Sequence, residues 1–214
     1  MEILYLNEVD STHTYLKNYI KENGFKTPIA VVTQNQTNGI GSRSNSWDGK
    51  TGNLFFSFVI DKSSLPLDLP LQSSSIYFSY LLKDILNTFG SRVWLKWPND
   101  FYIENKKIGG TITNLSGELM YCGIGLNLNK VNNQFGHLDI EININKILNI
   151  YFEELKSKIS WKHIFSKYTI EFEKSRQMET TINNQKKSLE HSVLNSDGSI
   201  FIDNEKVFSL RWLK

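Results

Sequence analysis

Apolar runs in the middle of the chain predict a sheet. Each run is short and is bounded by glycine, proline, asparagine or serine, which is typical of β-strands. Ser116-Gly117 predicts a hairpin turn, and residues 104–106 predict the tip of an earlier hairpin. The main predicted strands cover residues 29–33, 53–60, 92–97, 108–115 and 119–128.

Helical periodicity appears on both sides of these strands. Asp10 or Ser11 is a suitable N-cap for a first helix, which Gly24 would end. A longer helix is predicted over residues 71–89, and a further helical stretch over 145–174 with a new start at Ser160. The apolar face of the first helix consists of Tyr15, Leu16, Tyr19 and Ile20.

The pattern of apolar and polar residues changes in the last part of the chain. After Gln177 it predicts short strands, with turns at Asp197-Gly198 and Asp203-Asn204. These strands are too few to fold alone, so we expect a small barrel-like module that packs on the first domain. The predicted domains are residues 1–178 and 179–214.

Residues 96–110 concentrate groups that favour ligand binding. Pro98 lacks an N–H and should end the strand in a fixed turn, which directs Asn99 and Asp100 beyond the strand end. Lys96 and Lys107 should then converge at one end of the sheet, where an ammonium group can stabilise charge on a phosphate or carboxylate oxygen. Lys106 is more simply a solvated hairpin tip, whereas Lys107 lies close to the Gly109-Gly110 pair.

A long polar loop is predicted over residues 34–47, between two apolar strands. Gly39 and Gly41 allow backbone N–H groups to approach an anion, and Arg43 carries a guanidinium suited to a carboxylate or phosphate. The loop is not a Walker A motif, because no Gly-Lys-Ser/Thr follows at the required spacing. It is not a dinucleotide fingerprint either, because a strand follows it instead of a helix.

Composition restricts the class of protein further. The 214 residues, of which 40% are hydrophobic, suffice for one core with a small appendage. A net charge of +2 does not indicate a nucleic-acid partner. The single cysteine, Cys122, lies in an apolar run and suits a reducing compartment. With no apolar run of eighteen residues and no basic leader, we expect a soluble cytoplasmic protein that does not bind membranes.

Five motifs, in this order, give the chain a family resemblance. Over about residues 1–180 the sequence resembles the catalytic domain of biotin protein ligases, and the Lys-Trp-Pro-Asn-Asp element is the most specific of the five. The motifs are Asp10-Ser11-Thr12, residues 36–43 with Trp47, Lys96-Trp97-Pro98-Asn99-Asp100, Lys107-Ile108-Gly109-Gly110 and residues 123–127.

The resemblance implies an α+β fold and a two-step reaction. The fold would be a mixed, mainly antiparallel sheet with helices on one side, like that of class II aminoacyl-tRNA synthetases, plus a small SH3-like C-terminal β module. In the reaction, the biotin carboxylate attacks the α-phosphate of ATP to give biotinyl-5′-adenylate and pyrophosphate, with Mg²⁺ neutralising the triphosphate. A lysine of a biotin carboxyl carrier protein then takes the biotinyl group. No dedicated protein cage for a metal is implied.

Site residues follow from the resemblance by position. Lys107 and Arg43 would be the catalytic residues, with Lys107 beside the biotin carboxylate and the α-phosphate. The biotin site would comprise Ser11, Thr12, His13, Gln36, Gly39, Ile40, Gly41, Ser42, Lys107 and Gly110. The ATP site would comprise Arg43, Trp47, Lys96, Asn99, Asp100, Lys107, Asn127 and Arg211.

The chain departs from the family pattern in its polar loop and after Ser-Thr. Loops of this family commonly carry an arginine directly after the second glycine and another three residues later, where this chain has Ser42 and Asn45. With Arg43 displaced by one position, we expect weaker loop closure and less tight binding of biotin or its adenylate. His13 replaces the more familiar amide after Ser-Thr.

Two alternative functions stay open from the sequence. A lipoate or octanoate ligase would share the fold and the lysine, although the 36–47 loop and the Trp-Pro-Asn-Asp turn favour biotin. A non-catalytic biotin- or nucleotide-binding module is the other alternative. The motifs begin at residue 10, so we expect no N-terminal helix-turn-helix and no DNA partner. Edge strands would allow a homodimer without requiring one.

Overall fold

The computed structural model describes residues 1–41, 46–47, 52–130 and 134–208. In chain order these residues form the elements β1 (Glu2–Tyr5), α1 (Thr12–Asn23), β2 (Ile29–Thr33), β3 (Gly39–Ile40), β4 (Ser46–Trp47), β5 (Leu54–Asp61), α2 (Ser74–Thr88), β6 (Trp94–Lys96), β7 (Asp100–Ile103), β8 (Lys106–Ser116), β9 (Leu119–Leu126), α3 (Ile144–Lys156), α4 (Trp161–Ser175), β10 (Glu179–Ile182), β11 (Gln185–Ser188), β12 (Val193–Leu194), β13 (Ile200–Ile202) and β14 (Glu205–Val207). Short 3-10 helices cover Lys62–Ser64 and Leu71–Ser73.

A seven-stranded sheet forms the centre, in the order β1-β2-β5-β9-β8-β7-β6. Only β1 and β2 pair in parallel; the other neighbours are antiparallel. The predicted mixed, mainly antiparallel sheet is therefore confirmed. The sequence reading did not include β1, whose four residues add the single parallel pairing at one edge.

The sheet is covered on both faces, which differs from the expectation of helices on one side only. Both alternating sets of β2 residues are apolar and buried. Ala30 and Val32 pack in the large cluster that contains α2, α3 and α4 side chains, whereas Ile29 and Val31 pack with Leu16 of α1. Because strand neighbours point to opposite faces, α1 lies opposite the other three helices.

Local signals placed both ends of α1 and the start of α4 correctly, whereas α2 begins at Ser74, three residues after its predicted start. Ser11 is the N-cap of α1 and its side chain accepts from the backbone N–H of Thr14, while Gly24 follows the last turn with φ of 71°. Ser160 caps α4 in the same way, through the N–H of His163. These are the positions that capping chemistry predicts.

The C-terminal residues form two small sheets, a β10-β11 hairpin and a β12-β13-β14 meander. Ile182, Leu189, Ile200 and Ile202 are buried in the same cluster as α2 and α4. These C-terminal strands therefore pack on the rest of the chain, while the division into two domains at residue 178 stays a prediction. Within the described ranges, no helix has the length and apolarity that crossing a membrane requires.

Candidate active site

Register across the sheet brings the predicted site residues onto one face. Residues paired across antiparallel strands point to the same side. One such row runs Lys96, Asp100, Gly110, Gly125 and Phe55, and the next runs Ile112, Gly123 and Ser57. This is the α1 face, because Val59 and Tyr121, two residues from Ser57 and Gly123, pack with α1. Three glycines thus leave a floor of bare backbone, which we call the glycine floor (Gly110, Gly123 and Gly125).

Lys107 reaches this floor through an irregularity in strand pairing. The register between β7 and β8 shifts at Phe101/Tyr102, so that Phe101 pairs with Gly109 but Tyr102 pairs with Lys107. On a regular strand the side chains of residues 107 and 110 would point to opposite faces, because the two positions are three apart. The register shift adds one extra residue to β8 between them, so Lys107 points to the same face as Gly110. A strand bulge therefore directs the candidate catalytic lysine.

Asp100 is a neighbour of both lysines at one end of the glycine floor. Its Oδ1 is 2.6 Å from the Lys107 Nζ, and Lys96 lies directly opposite it on β6. A Cβ at position 110 would lie 3.2 Å from this carboxylate and 3.6 Å from the Lys107 Nζ, so a side chain there would crowd the ion pair. Both side chains are partly exposed, and an anionic ligand can approach the ammonium from the floor. The predicted convergence of two lysines is present.

Lys96 is only 8% exposed and its Nζ lies 5.9 Å from the ring centroid of Tyr102. Burial, followed by the Asp100 charge, raises the pKa of Tyr102 to about 12. That tyrosine is consequently a neutral hydrogen-bonding group beside the lysine.

A buried polar cluster occupies the opposite end of the floor. Gln36 Oε1 accepts from the backbone N–H of Thr12 at 2.8 Å and from its hydroxyl at 3.0 Å. The Thr12 hydroxyl is also 2.9 Å from the Ser57 hydroxyl. The side-chain oxygen of Gln36 already accepts two hydrogen bonds. Its side-chain NH₂ is therefore the donor that this cluster can offer to a ligand.

Ser57 was missed by sequence reasoning. The only signal was a hydroxyl within the otherwise apolar residues 54–60 of β5, where Ser57 is fully buried. Its partner Thr12 is 45 residues earlier in the chain, so the contact is decided by the packing of α1 on β5.

His13 contributes a neutral imidazole to this end of the site. Burial, and secondarily the Lys17 charge, lowers its pKa to about 4. Its ring lies edge-on to Tyr121, and its Nδ1 lies 3.3 Å from where a Gly123 Cβ would be. That buried nitrogen has no hydrogen-bond partner among the described residues. It is therefore one polar atom that a ligand on the floor would satisfy.

Other predicted site residues have structural contacts. The Asn99 amide donates to the Thr111 carbonyl, and the Asn127 amide donates to the Gly136 carbonyl at 3.1 Å. Ser11 caps α1 and is 2% exposed. Their ligand-binding roles stay predictions.

The predicted polar loop contains a small two-stranded ribbon. Gly39 pairs with Trp47, and Ile40 pairs with Ser46. Ile40 is exposed, while Gly39 is buried. Ser42, Arg43 and Arg211 lie outside the described residues, so their predicted roles stay predictions.

The sequence matches the biotin/lipoate A/B protein ligase family over residues 5–129. This region contains α1, the polar cluster, the glycine floor and both lysines. The chain therefore belongs to this family, as the five motifs implied.

Individual relatives agree with this assignment. The biotin acetyl coenzyme A carboxylase synthetase of Helicobacter pylori, solved with bound biotinylated ATP, shares 36% identity and a TM-score of 0.91 over 97% of this chain and 99% of that chain. The biotin protein ligase of Aquifex aeolicus, solved with biotin and ATP, shares the fold with a TM-score of 0.72 at 21% identity, over 97% and 94% of the two chains.

Matches to curated proteins are shorter. The bifunctional ligase/repressor BirA of Bacillus subtilis is 31% identical over 110 residues, which cover 49% of this chain and 34% of that protein. The corresponding protein of Escherichia coli is 28% identical over 127 residues, 56% of this chain and 38% of that protein. The chain thus spans less than half the length of these relatives.

Proposed function

We propose that this protein is an ATP-dependent biotin protein ligase. The observation that carries the proposal is the glycine floor, with the Thr12–Gln36–Ser57 cluster at one end and Lys107 at the other. Biotin has a polar ureido head, an apolar ring and chain, and a terminal carboxylate. Its head suits the buried polar cluster, its body suits bare backbone, and its carboxylate suits an ammonium group.

In the first step, a carboxylate oxygen of biotin attacks the α-phosphorus of ATP. The bond from that phosphorus to the bridging oxygen of the β-phosphate breaks, and pyrophosphate leaves with the electron pair. Negative charge accumulates between carboxylate and phosphate, and the Lys107 ammonium stabilises it. Asp100, 2.6 Å away, keeps that ammonium oriented.

In the second step, the amine of an acceptor lysine attacks the acyl carbon of the adenylate. The carbon–oxygen bond to AMP breaks, AMP leaves, and the nitrogen loses a proton as the amide forms. The acceptor is proposed to be the carrier domain of a biotin-dependent carboxylase in the cytoplasm. No enzyme side chain becomes acylated in either step.

Mg²⁺ would enter with ATP. The described ranges hold no group of three histidine, cysteine or acidic side chains close enough to bind a metal. Triphosphate oxygens and water are ligands that Mg²⁺ prefers, so the nucleotide itself is proposed to carry the ion. Lys96 and Lys107 would add positive charge on the protein side.

Pyrophosphate exchange into ATP tests the proposal, with biotin, lipoate or octanoate as the acid. We expect biotin-dependent exchange that Lys107→Ala lowers by roughly 100- to 1000-fold, the usual cost of removing one group that stabilises transition-state charge. Lys106→Ala is the matched control: it removes the neighbouring exposed lysine and should leave the rate unchanged.

Other outcomes identify the alternatives. Exchange that depends on lipoate or octanoate would make the protein a ligase for that acid. No exchange with any acid, together with calorimetric binding of biotin, would make it a binding module. Equal loss in the Lys106 and Lys107 variants would remove Lys107 from its proposed role.

A further inference from the structure

The pairing of β7 with β8 extends to Asn99, the residue before β7. The last regular pair joins Asp100 to Gly110. Beyond it, the Thr111 N–H donates to the Asn99 carbonyl at 3.1 Å, and the side-chain NH₂ of Asn99 donates to the Thr111 carbonyl. A hydrogen-bonded pair of antiparallel residues normally exchanges two backbone N–H···O bonds. The Asn99 amide therefore supplies the second bond of this pair from a side chain.

Thr111 is a firmly held partner for this pair. It pairs with Ile124 of the central strand β9 and is 3% exposed. Its hydroxyl is 2.7 Å from the hydroxyl of Ser79, a fully buried residue of α2. The Ser79 hydroxyl in turn donates to the Ser75 carbonyl at 2.6 Å. Thr111 is therefore attached to β9, to α2 and to Asn99.

The Thr111 side chain points away from the glycine floor. Neighbouring residues of a strand point to opposite faces, and Gly110 belongs to the floor. The contact with Ser79 shows that the Thr111 side chain faces α2, on the other side of the sheet. The pair of Asn99 with Thr111 thus attaches the start of β7 to the core of the protein.

The next pair along both strands carries the site. Asp100 follows Asn99, and its Oδ1 is 2.6 Å from the Lys107 Nζ. Adjacent residues of a strand are about 3.3 Å apart, so the bonds between Asn99 and Thr111 restrain the backbone that carries the Asp100 side chain. The ends of elements open most readily where few hydrogen bonds hold them. Loss of the Asn99 amide would leave a single hydrogen bond between β8 and the residue before Asp100.

We propose that Asn99 is a positioning residue, whose side-chain amide extends the β7–β8 pairing to Thr111 and holds the Asp100 carboxylate beside the Lys107 ammonium. The family resemblance instead implies a place for Asn99 in the ATP site. The two roles differ measurably, because a positioning residue acts through the ammonium that it helps to orient. The effect on catalysis rests on the proposed ligase function, whereas the pairing of Asn99 with Thr111 does not.

A double-mutant cycle distinguishes the two roles. Its members are the unmodified protein, Asn99→Ala, Lys107→Ala and the variant that carries both changes, each assayed for biotin-dependent pyrophosphate exchange. Asn105→Ala is the matched control, because it makes the same change at an exposed position of the same hairpin. This control should keep the rate of pyrophosphate exchange within about twofold of that of the unmodified protein.

When Lys107 is present, Asn99→Ala should lower the rate of pyrophosphate exchange about 10- to 100-fold, since small displacements of a catalytic group are costly. In the Lys107→Ala background the same change should lower the remaining rate by less than about twofold, because both residues act through one ammonium. A direct contact between Asn99 and ATP would give losses of similar size in both backgrounds. Losses of similar size would therefore overturn the proposal.

Hydrogen exchange at the backbone amide of Thr111 gives a readout that does not depend on activity. This amide should exchange roughly tenfold faster in Asn99→Ala than in Asn105→Ala, as loss of one of the two bonds in the pair predicts. Equal hydrogen exchange in the two variants would also overturn the proposal. Absence of biotin-dependent pyrophosphate exchange in the unmodified protein would instead overturn the proposed function, and the Thr111 amide would still decide whether the Asn99 side chain holds the start of β7.

Discussion

His13 lies in an environment that moves its pKa far from the ordinary value of a histidine. Burial and Lys17 lower its pKa from 6.5 to about 4. Between pH 4 and 6.5, His13 is therefore protonated in the unfolded chain and neutral in the folded protein. This contribution to stability is complete above pH 6.5 and is lost as the pH falls towards 4.

We expect His13→Asn to reduce the acid sensitivity of folding. Between pH 6.5 and 4, the unmodified protein should lose about 3 kcal/mol more unfolding free energy than the variant, which is the shift converted to energy. Urea unfolding at half-unit pH intervals, without ligand, measures the difference. Parallel curves for the two proteins would mean that the histidine is protonated in the fold.

The two faces of strand β8 have different environments: one packs in the core and the other faces the candidate site. A Cβ at Gly109 would lie 2.6 Å from the Gly125 carbonyl and 3.1 Å from Phe101, so it would push against backbone and core. A Cβ at Gly110 would meet the Asp100 and Lys107 side chains on the open face. Neighbouring glycines therefore serve different purposes.

Alanine at these two positions should give different defects. Gly109→Ala should lower the unfolding free energy by about 1–3 kcal/mol, the usual cost of overpacking. Gly110→Ala should lower it by less than about 1 kcal/mol but should reduce adenylation at least about tenfold, since the Lys107–Asp100 pair is displaced. Denaturant unfolding and pyrophosphate exchange on both variants measure the two effects. A large stability loss in Gly110→Ala would contradict the division of faces.

At the scale of the whole molecule, the C-terminal module shares its core with the first domain. Two tryptophan side chains donate to its 195–198 turn: Trp97 to the Gly198 carbonyl at 3.0 Å and Trp161 to the Ser196 carbonyl at 2.8 Å. The Ser73 hydroxyl donates to the neighbouring Asp197 carbonyl at 2.5 Å. These contacts join the module to α2, α4 and the turn after β6.

We expect the chain to unfold in one cooperative thermal transition. Trp161→Phe should lower the unfolding free energy by about 2 kcal/mol through the lost hydrogen bond and a small cavity, without splitting the transition. Phe201→Ala, at an exposed position of the same module, is the control and should change stability by less than about 0.5 kcal/mol. Two calorimetric transitions would instead support independent units divided near residue 178.

The homodimer stays a prediction, but the edges of the sheet are not equivalent. On the outer edge of β6, the N–H groups of Val93 and Trp97 already donate to the hydroxyls of Ser91 and Ser175. If two copies pair by extending the sheet, β1 is the edge that would be used.

Local sequence patterns suffice to predict the helices, most strands and the residues of the site motifs. Caps at Ser11 and Ser160, the turn at Asp203-Asn204 and the strand at Ile29–Thr33 follow from neighbouring residues alone. The hairpin turn predicted at Ser116-Gly117 lies one residue later, at Gly117-Glu118. Capping, turn chemistry and hydrophobic period act within a few residues, so a linear pattern suffices to predict them.

The assembly of these elements into a site depends on contacts between distant parts of the chain. The β7–β8 register shift brings Lys107 to the face of Gly110, and the packing of α1 on β5 joins Thr12 to Ser57. The same holds for the two-sided cover of the sheet and for the hydrogen bond that Ser175 of α4 accepts from the backbone of Trp97. Each of these contacts joins residues that are distant in the chain or depends on a single extra residue in a strand pair. Such choices are settled by the free energy of the whole fold, because no local preference distinguishes between the alternatives.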